Sequence, residues 1–286
     1  DGRVYTFGAE GVLHALDLTT GKKLWRVDTH TKFNVQKQFF GAAASPLVRD
    51  AVYINIGGSA GVAAFDKASG NVLWTATKDE AGYSSPIEAT IAGKRLILCF
   101  TRAGLVGIEP AGKVHFQFPW RSRSQASVNA TLPVIAGHLV FLSASYNTGA
   151  TLLDLSAAQP RQLWSSDEAL SNHYASSVLR DGHLYGFHGR QEHGQSLRCI
   201  EVRSGKVRWS VDDLGAGTVA VLGDRLLVVR ENGEAVVAPA TPEAFRPESK
   251  AQLLPGVVRS YPAVSNGRLF VRNQRTLAAY SVPEVK

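Results

Sequence analysis

One pattern recurs along this chain, and it limits the possible folds more than any other feature. Residues 11–25, G-V-L-H-A-L-D-L-T-T-G-K-K-L-W, run from an apolar stretch through an acid and a turn glycine to a tryptophan. The pattern returns as G-V-A-A-F-D-K-A-S-G-N-V-L-W at 61–74 and as G-L-V-G-I-E-P-A-G-K-V-H-F at 104–116. Two further copies, G-A-T-L-L-D-L-S-A-A-Q-P-R-Q-L-W and S-L-R-C-I-E-V-R-S-G-K-V-R-W, end at Trp164 and Trp209. The acid positions are Asp17, Asp66, Glu109, Asp154 and Glu201. The aromatic ends fall at 25, 74, 116, 164 and 209, a period of 42 to 49 residues. Phe116 keeps this register and Trp120 does not. Two weaker copies follow. G-E-A-V-V-A-P-A-T-P from Gly233 has lost the acid, the turn glycine and the tryptophan, and R-T-L-A-A-Y-S-V from Arg275 keeps only the strand.

Each copy is preceded by a short apolar run that begins at a turn: G-R-V-Y-T-F, A-V-Y-I-N-I, K-R-L-I-L-C-F, G-H-L-V-F-L, G-H-L-Y-G-F, D-R-L-L-V-V and G-R-L-F-V-R. From the second unit onward another segment comes before that one: A-S-P-L-V, S-S-P-I-E-A, A-T-L-P-V-I, S-S-V-L, T-V-A-V-L and Y-P-A-V. These runs are rich in Val, Ile, Leu and Tyr and bounded by Gly, Pro, Asp and Asn, as strands are. No segment shows a long helical period. Four strands in about 45 residues cannot bury both sheet faces alone, so the copies must stack on one another. Radial stacking of four-stranded antiparallel sheets makes an all-β β-propeller. Seven blades are expected, or eight if a blade lies upstream, with residues 1–286 forming one domain. The first unit lacks its innermost strand and the last lacks its outermost.

Within the repeat, the acid and the glycine occupy the hairpin between the third and fourth strands. There a carboxylate can accept turn N–H groups and glycine can take positive φ. The tryptophan is expected to pack between adjacent sheets. A residue that performs chemistry appears once, whereas the acid appears five times and the turn glycine and the tryptophan four times each, so the repeat reads as structure. The shared form A-L-D-x-x-T-G-K-x-x-W resembles the pyrroloquinoline-quinone-like repeat of quinoprotein-type propellers, over essentially the whole chain. The run S-N-H-Y-A-S-S-V-L-R-D-G-H-L-Y-G-F-H-G-R is most similar to the uncharacterised bacterial group of that superfamily. The superfamily also holds quinone-dependent alcohol and sugar dehydrogenases and the propeller lipoprotein of the outer-membrane barrel-assembly machinery. The resemblance implies a periplasmic or secreted protein.

It also implies what a dehydrogenase would need: adjacent cysteines over the quinone, acidic and amide calcium ligands, and an aspartate base. Cys99 and Cys199 are far apart in sequence, and no stretch matches the ligand set. We therefore expect no cofactor, with pyrroloquinoline quinone plus calcium as the alternative, and a non-catalytic binding or assembly scaffold, with a quinone- or metal-dependent oxidoreductase as the alternative function. Both cysteines lie in strand-like runs and read as small buried thiols. The net charge of +7 is spread along the chain. Its densest piece, Arg121 to Ser124, is too short to argue for nucleic acid. No apolar run reaches the roughly 18–20 residues that span a bilayer, and the first residues do not form a secretion signal. The chain is expected to be a monomer. It contains no methionine.

G-G-S-A-G at 57–61 matches a hydrolase nucleophile pattern, but that pattern needs a strand–elbow–helix context, and here it joins two strands. Four of the eight histidines, His173, His183, His188 and His193, fall in one unit. Their spacing lacks the i, i+4 form of a helical metal site, and no metal is expected. The function is expected on the face where the second-to-third-strand turns and the blade-to-blade crossovers emerge, because these are the parts that do not repeat. The longest crossover runs from Val27 to Gly41. The candidate ligand-binding residues on this rim are Tyr83, Arg121, Arg123, Asn129, His173, Tyr174, His188, Arg190, Arg259, Tyr261 and Arg272. Tyr146, Asn147, Arg230 and Asn273 lie beside them. Such a mixture suits an anionic or carbohydrate ligand, or a protein partner.

Overall fold

A computed structural model describes residues 1–122, 124 and 129–282. The fold is that of an all-β propeller, built from seven antiparallel meander sheets taken in chain order. Blade 1 holds β1 (Arg3–Phe7), β2 (Val12–Asp17) and β3 (Lys23–Asp28). Blade 2 holds β4 (Leu47–Val48), β5 (Val52–Gly57), β6 (Gly61–Phe65) and β7 (Val72–Ala76). Blade 3 holds β8 (Ile87–Ile91), β9 (Lys94–Phe100), β10 (Gly104–Ile108) and β11 (Val114–Pro119). Blade 4 holds β12 (Val134–Ala136), β13 (Leu139–Ala144), β14 (Gly149–Asp154) and β15 (Arg161–Ser166). Blade 5 holds β16 (Val178–Arg180), β17 (His183–His188), β18 (Ser196–Glu201) and β19 (Val207–Val211). Blade 6 holds β20 (Gly217–Leu222), β21 (Arg225–Arg230), β22 (Glu234–Pro239) and β23 (Ser249–Gln252), and blade 7 holds β24 (Ala263–Ser265), β25 (Arg268–Arg272) and β26 (Leu277–Ser281).

The first and last sheets have three strands each, as the repeat pattern predicts. The chain forms two compact units, Asp1–Tyr146 with Leu153–Leu163, and Asn147–Leu152 with Trp164–Lys286. One turn of helix, α1 (Thr29–Phe33), lies in the first crossover and was not foreseen. It exists because Asp28 caps it, accepting from the Thr31 N–H at 3.1 Å, and because Asn34 ends it in the left-handed conformation. Five residues are too few to produce a hydrophobic period. The fourth strand of blade 6, β23, was also illegible, since all four of its side chains are exposed.

The middle strands are continuous apolar runs rather than alternating ones. β5, β6, β10 and β13 are buried at every position. A strand covered on both faces by neighbouring sheets has no polar face to display. The cores between blades are correspondingly apolar. Leu13, Ile54 and Phe65 fill the space between blades 1 and 2, and Leu98, Phe100 and Leu142 that between blades 3 and 4. Cys99 and Cys199 are fully buried free thiols in the strands where sequence placed them. Burial pushes the Cys199 thiol up to about 12 and that of Cys99 higher still.

The repeated residues connect successive blades. Trp25 Nε1 donates to Lys67 O at 3.0 Å, Trp74 Nε1 to Pro110 O at 2.9 Å, Trp164 Nε1 to Val202 O at 3.0 Å and Trp209 Nε1 to Thr241 O at 2.9 Å. In the first three cases the acceptor is the carbonyl just past the acid of the next sheet, and in blade 6, which has lost the acid, it is Thr241 in the loop after β22. The turn glycine there lies against the same ring: a Cβ on Gly70 would meet Trp25 at 2.8 Å, and one on Gly112 would meet Trp74 at 2.7 Å. Blade 6 has lost its turn glycine, and there Phe245 packs on Trp209 with ring centroids 5.6 Å apart. The acid closes its own turn. Asp17 Oδ1 accepts from the Thr19 and Thr20 N–H groups at 3.1 and 2.8 Å, and Asp66 does the same with Ala68 and Ser69. Hydrogen bonds from Thr20 and Ser69 hold these two carboxyls below the usual range.

A second device joins blades 2 and 3. Asp50 accepts from Arg95 Nη2 at 2.7 Å and from Tyr53 Oη at 2.8 Å, and Arg95 also reaches Glu88 at 2.6 Å. Hydrogen bonding from Arg95 depresses the Asp50 pKa to about 2. An unfolded aspartate titrates near 3.9, about two units higher. The stabilisation is therefore complete above about pH 5 and is lost as pH falls toward about 2. Solvent screens the pair, because the Asp50 side chain is 54% exposed, and the effect is modest. In urea titrations at several pH values, the midpoint of the wild type is expected to fall more steeply over this acid range than that of Asp50→Asn.

Candidate functional site

Each unit presents a non-repeating surface in which crossovers meet the turns between second and third strands. In the first unit the crossover after β3 forms a strap. Asp28 and α1 begin it, and Thr29 Oγ1 donates to Gly11 O at 2.7 Å. Further along, Gln38 Nε2 donates to Ala81 O at 2.7 Å, the Ala42 N–H donates to Ala9 O at 2.8 Å, and Lys37 pairs with Glu10 at 2.5 Å. The β5–β6 turn joins the strap through the Ser59 N–H, which donates to Phe33 O at 2.9 Å. Between these anchors Phe39 and Phe40 stand outward, 91% and 69% exposed. Their rings meet edge to face at 4.7 Å. Tyr83 supports them: its ring lies 6.0 Å from that of Phe40, and its hydroxyl oxygen accepts the Phe40 N–H at 3.1 Å. Under the strap, His30, Gln38 and Asn55 help line a cavity of about 20 Å³, the size of one water. Asn55 is 2% exposed, and its amide has no partner among the described residues.

In the second unit the crossovers before β16 and β24 meet the β21–β22 turn at Glu231. Tyr174 Oη donates to Glu231 Oε1, and Arg259 Nε donates to the same oxygen at 2.8 Å. Burial, with Glu231 beside it, raises the Tyr174 phenol. The Val258 N–H donates to Glu231 O at 2.8 Å, and the Ser176 N–H donates to Tyr261 Oη. Arg259 and Arg272, together with Ser260, Asn273, Gln274 and Val257, line an open pocket of about 250 Å³.

The structure therefore brings Tyr174, Tyr261, Arg259 and Arg272 into one neighbourhood and places Tyr83 in another. His173 adjoins this neighbourhood, its ring 5.8 Å from that of Tyr174, and the other described candidates make contacts of their own. Asn129 is 1% exposed, and its amide donates to Thr101 O at 2.7 Å, which ties a crossover to a turn. His188 accepts the Ser171 N–H on Nδ1 at 3.0 Å, and burial lowers its pKa. His173 pairs with Gln191, Arg190 lies 3.3 Å from Glu192, and Arg121 is exposed, bonding Ser122 O at 3.2 Å. Arg123 lies outside the described residues. Sequence reasoning missed Glu231, which organises the second cluster, because an acid in a turn looks solvated until its partners are known. It also passed over Phe39 and Phe40 individually. Two consecutive phenylalanines in an otherwise polar crossover were the available signal.

Among the described residues no group of three His, Cys, Asp or Glu side chains could hold a metal ion. Each cysteine is enclosed in its own inter-blade core. G-G-S-A-G joins β5 to β6 with no helix after it.

Comparison with known proteins agrees with the architecture. The family described as outer membrane protein assembly factor BamB matches the chain over residues 1–210 and 193–284. No curated protein matches it. Among solved structures, BamB from Moraxella catarrhalis superposes with a TM-score of 0.71 at 18% identity, covering 100% of this chain and 80% of that one. The computationally designed Ika8 protein gives 0.68 at 12% identity, covering 99% and 81%. Quinohemoprotein alcohol dehydrogenase from Comamonas testosteroni gives 0.65 at 12% identity, covering 94% of this chain and 61% of the enzyme. At these identities the structural likeness shows the fold alone. The repeats are those of a pyrroloquinoline-quinone-like β-propeller.

Proposed function

Because the chain belongs to the outer membrane protein assembly factor BamB family, we propose that it is a non-catalytic scaffold that acts outside the cytoplasm in outer membrane protein assembly, and that its partner is a protein. The observation that carries this reading is the aromatic tip of the first crossover. Leaving a phenyl side chain in water forgoes about 2 kcal/mol of burial free energy. Phe39 and Phe40 do so side by side, on a strap anchored at both ends. Rigid aromatic groups of this kind are the common anchors of protein interfaces, and an exposed apolar cluster on a soluble surface marks such a contact.

The test replaces both rings. Phe39→Ser/Phe40→Ser removes the tip without touching a core side chain, so the unfolding free energy from urea titration should stay within about 0.5 kcal/mol of wild type. Affinity for the partner recovered by photo-crosslinking from position 39 should fall at least about tenfold. Unchanged affinity would remove this surface from the proposal.

A further inference from the structure

We propose that the pocket between the crossover before β24 and the β25–β26 turn is a binding site for a small soluble oxyanion of the phosphate or carboxylate class. This site lies apart in sequence from the aromatic strap and does not depend on the reading given for it. Its walls are tied to each other. Ser260 Oγ donates to Arg272 O at 2.8 Å, and Asn273 Nδ2 donates to Pro255 O at 2.8 Å. Asn273 Oδ1 then accepts from the Arg275 and Thr276 N–H groups at 2.9 and 2.7 Å, which fixes the turn that carries Arg272. The pocket of about 250 Å³ is therefore held open by short hydrogen bonds at its rim.

Its side-chain chemistry is one-sided. Arg259, Arg272, Asn273 and Gln274 offer N–H donors, and no aromatic ring lines the wall. Glu231 is the nearby acid, and Arg259 Nε and Tyr174 Oη already occupy its Oε1. Arg272 makes no ion pair or side-chain hydrogen bond among the described residues. From Ser249 to Val282 the chain carries Lys250, Arg259, Arg268, Arg272 and Arg275 and no Asp or Glu. A guanidinium fixed by its Nε edge leaves its terminal N–H groups for a second acceptor. A neighbouring free guanidinium supplies the fork that oxyanions accept bidentately. A neutral sugar would lack a stacking ring on the wall, and a cation would meet net positive charge.

The arginine Nε–H signals of the full chain, followed by NMR during titration with sodium pyrophosphate, test this. Malonate serves as the carboxylate arm and glucose as the neutral control. The Arg272 and Arg259 signals should shift saturably with half-effect below about 10 mM, and glucose should leave them unmoved. Arg272→Gln should weaken binding at least about tenfold, and Arg268→Gln, at the far end of β25, should leave it within about twofold. Glu231→Gln, which removes the competing negative charge, should tighten binding about two- to threefold. No saturable shift in the wild type, or the same pyrophosphate affinity in a folded Arg272→Gln variant, overturns the assignment.

Discussion

Trp74→Ala is expected to remove about 4 kcal/mol of stability, a large share of the 5–15 kcal/mol that holds a typical domain together. The loss has two sources. The indole packs between blades 2 and 3 with its ring 5.8 Å from that of Tyr53, and truncation leaves a cavity that closely packed sheets cannot close. The Pro110 carbonyl also loses the Nε1 donor that reaches it at 2.9 Å. Trp74→Phe separates these terms. It keeps most of the ring and deletes the donor, so its cost should be about 1 kcal/mol. Equilibrium urea unfolding measures both. Equal losses in the two variants would assign the effect to the hydrogen bond, and negligible losses in both would refute the view that this tryptophan joins the blades.

The second large effect falls on the glycine facing that ring. Gly112 has φ +94°, and a Cβ there would lie 2.7 Å from Trp74 Cγ. Alanine therefore carries the left-handed backbone penalty of about 1 kcal/mol together with an overpacking cost of about 2 kcal/mol. Gly137 is the control. Its φ of +67° is similarly positive, but an added methyl there would meet no atom within 4 Å, so Gly137→Ala should cost only about 1 kcal/mol. In a Trp74→Ala background the steric part of the Gly112→Ala penalty should vanish, because neighbouring residues are not additive. Urea midpoints of the four variants close this cycle. Equal costs at the two glycines would show that backbone conformation alone explains the repeat.

These two residues also show why the fold was legible in the sequence. The acid, glycine and tryptophan each have a fixed geometric task, and repetition makes those tasks visible in the sequence. Where a copy decays, legibility goes with it. β23 has no buried side chain to give it a pattern, and blade 6 holds Trp209 with Phe245, which sits outside the motif. The rim was legible only in outline. Tyr174 and Arg259 were identified as candidates, yet their common partner Glu231 is 57 and 28 residues away, a distance that only folding closes. Asn129 looked like a surface amide, and the structure uses it to join a crossover to a turn. The helix turn at Thr29–Phe33 arises from two capping residues rather than from periodicity.

In the function proposed above, the repeat carries the fold and the departures from it carry recognition. Its most direct test is the affinity of one purified partner for Phe39→Ser/Phe40→Ser and for Trp74→Phe, measured side by side with unfolding curves for each. The first variant should lose at least about tenfold in affinity at unchanged stability. The second should lose about 1 kcal/mol of stability at unchanged affinity. The reverse assignment, with affinity lost through Trp74 and retained without the aromatic tip, would contradict the account.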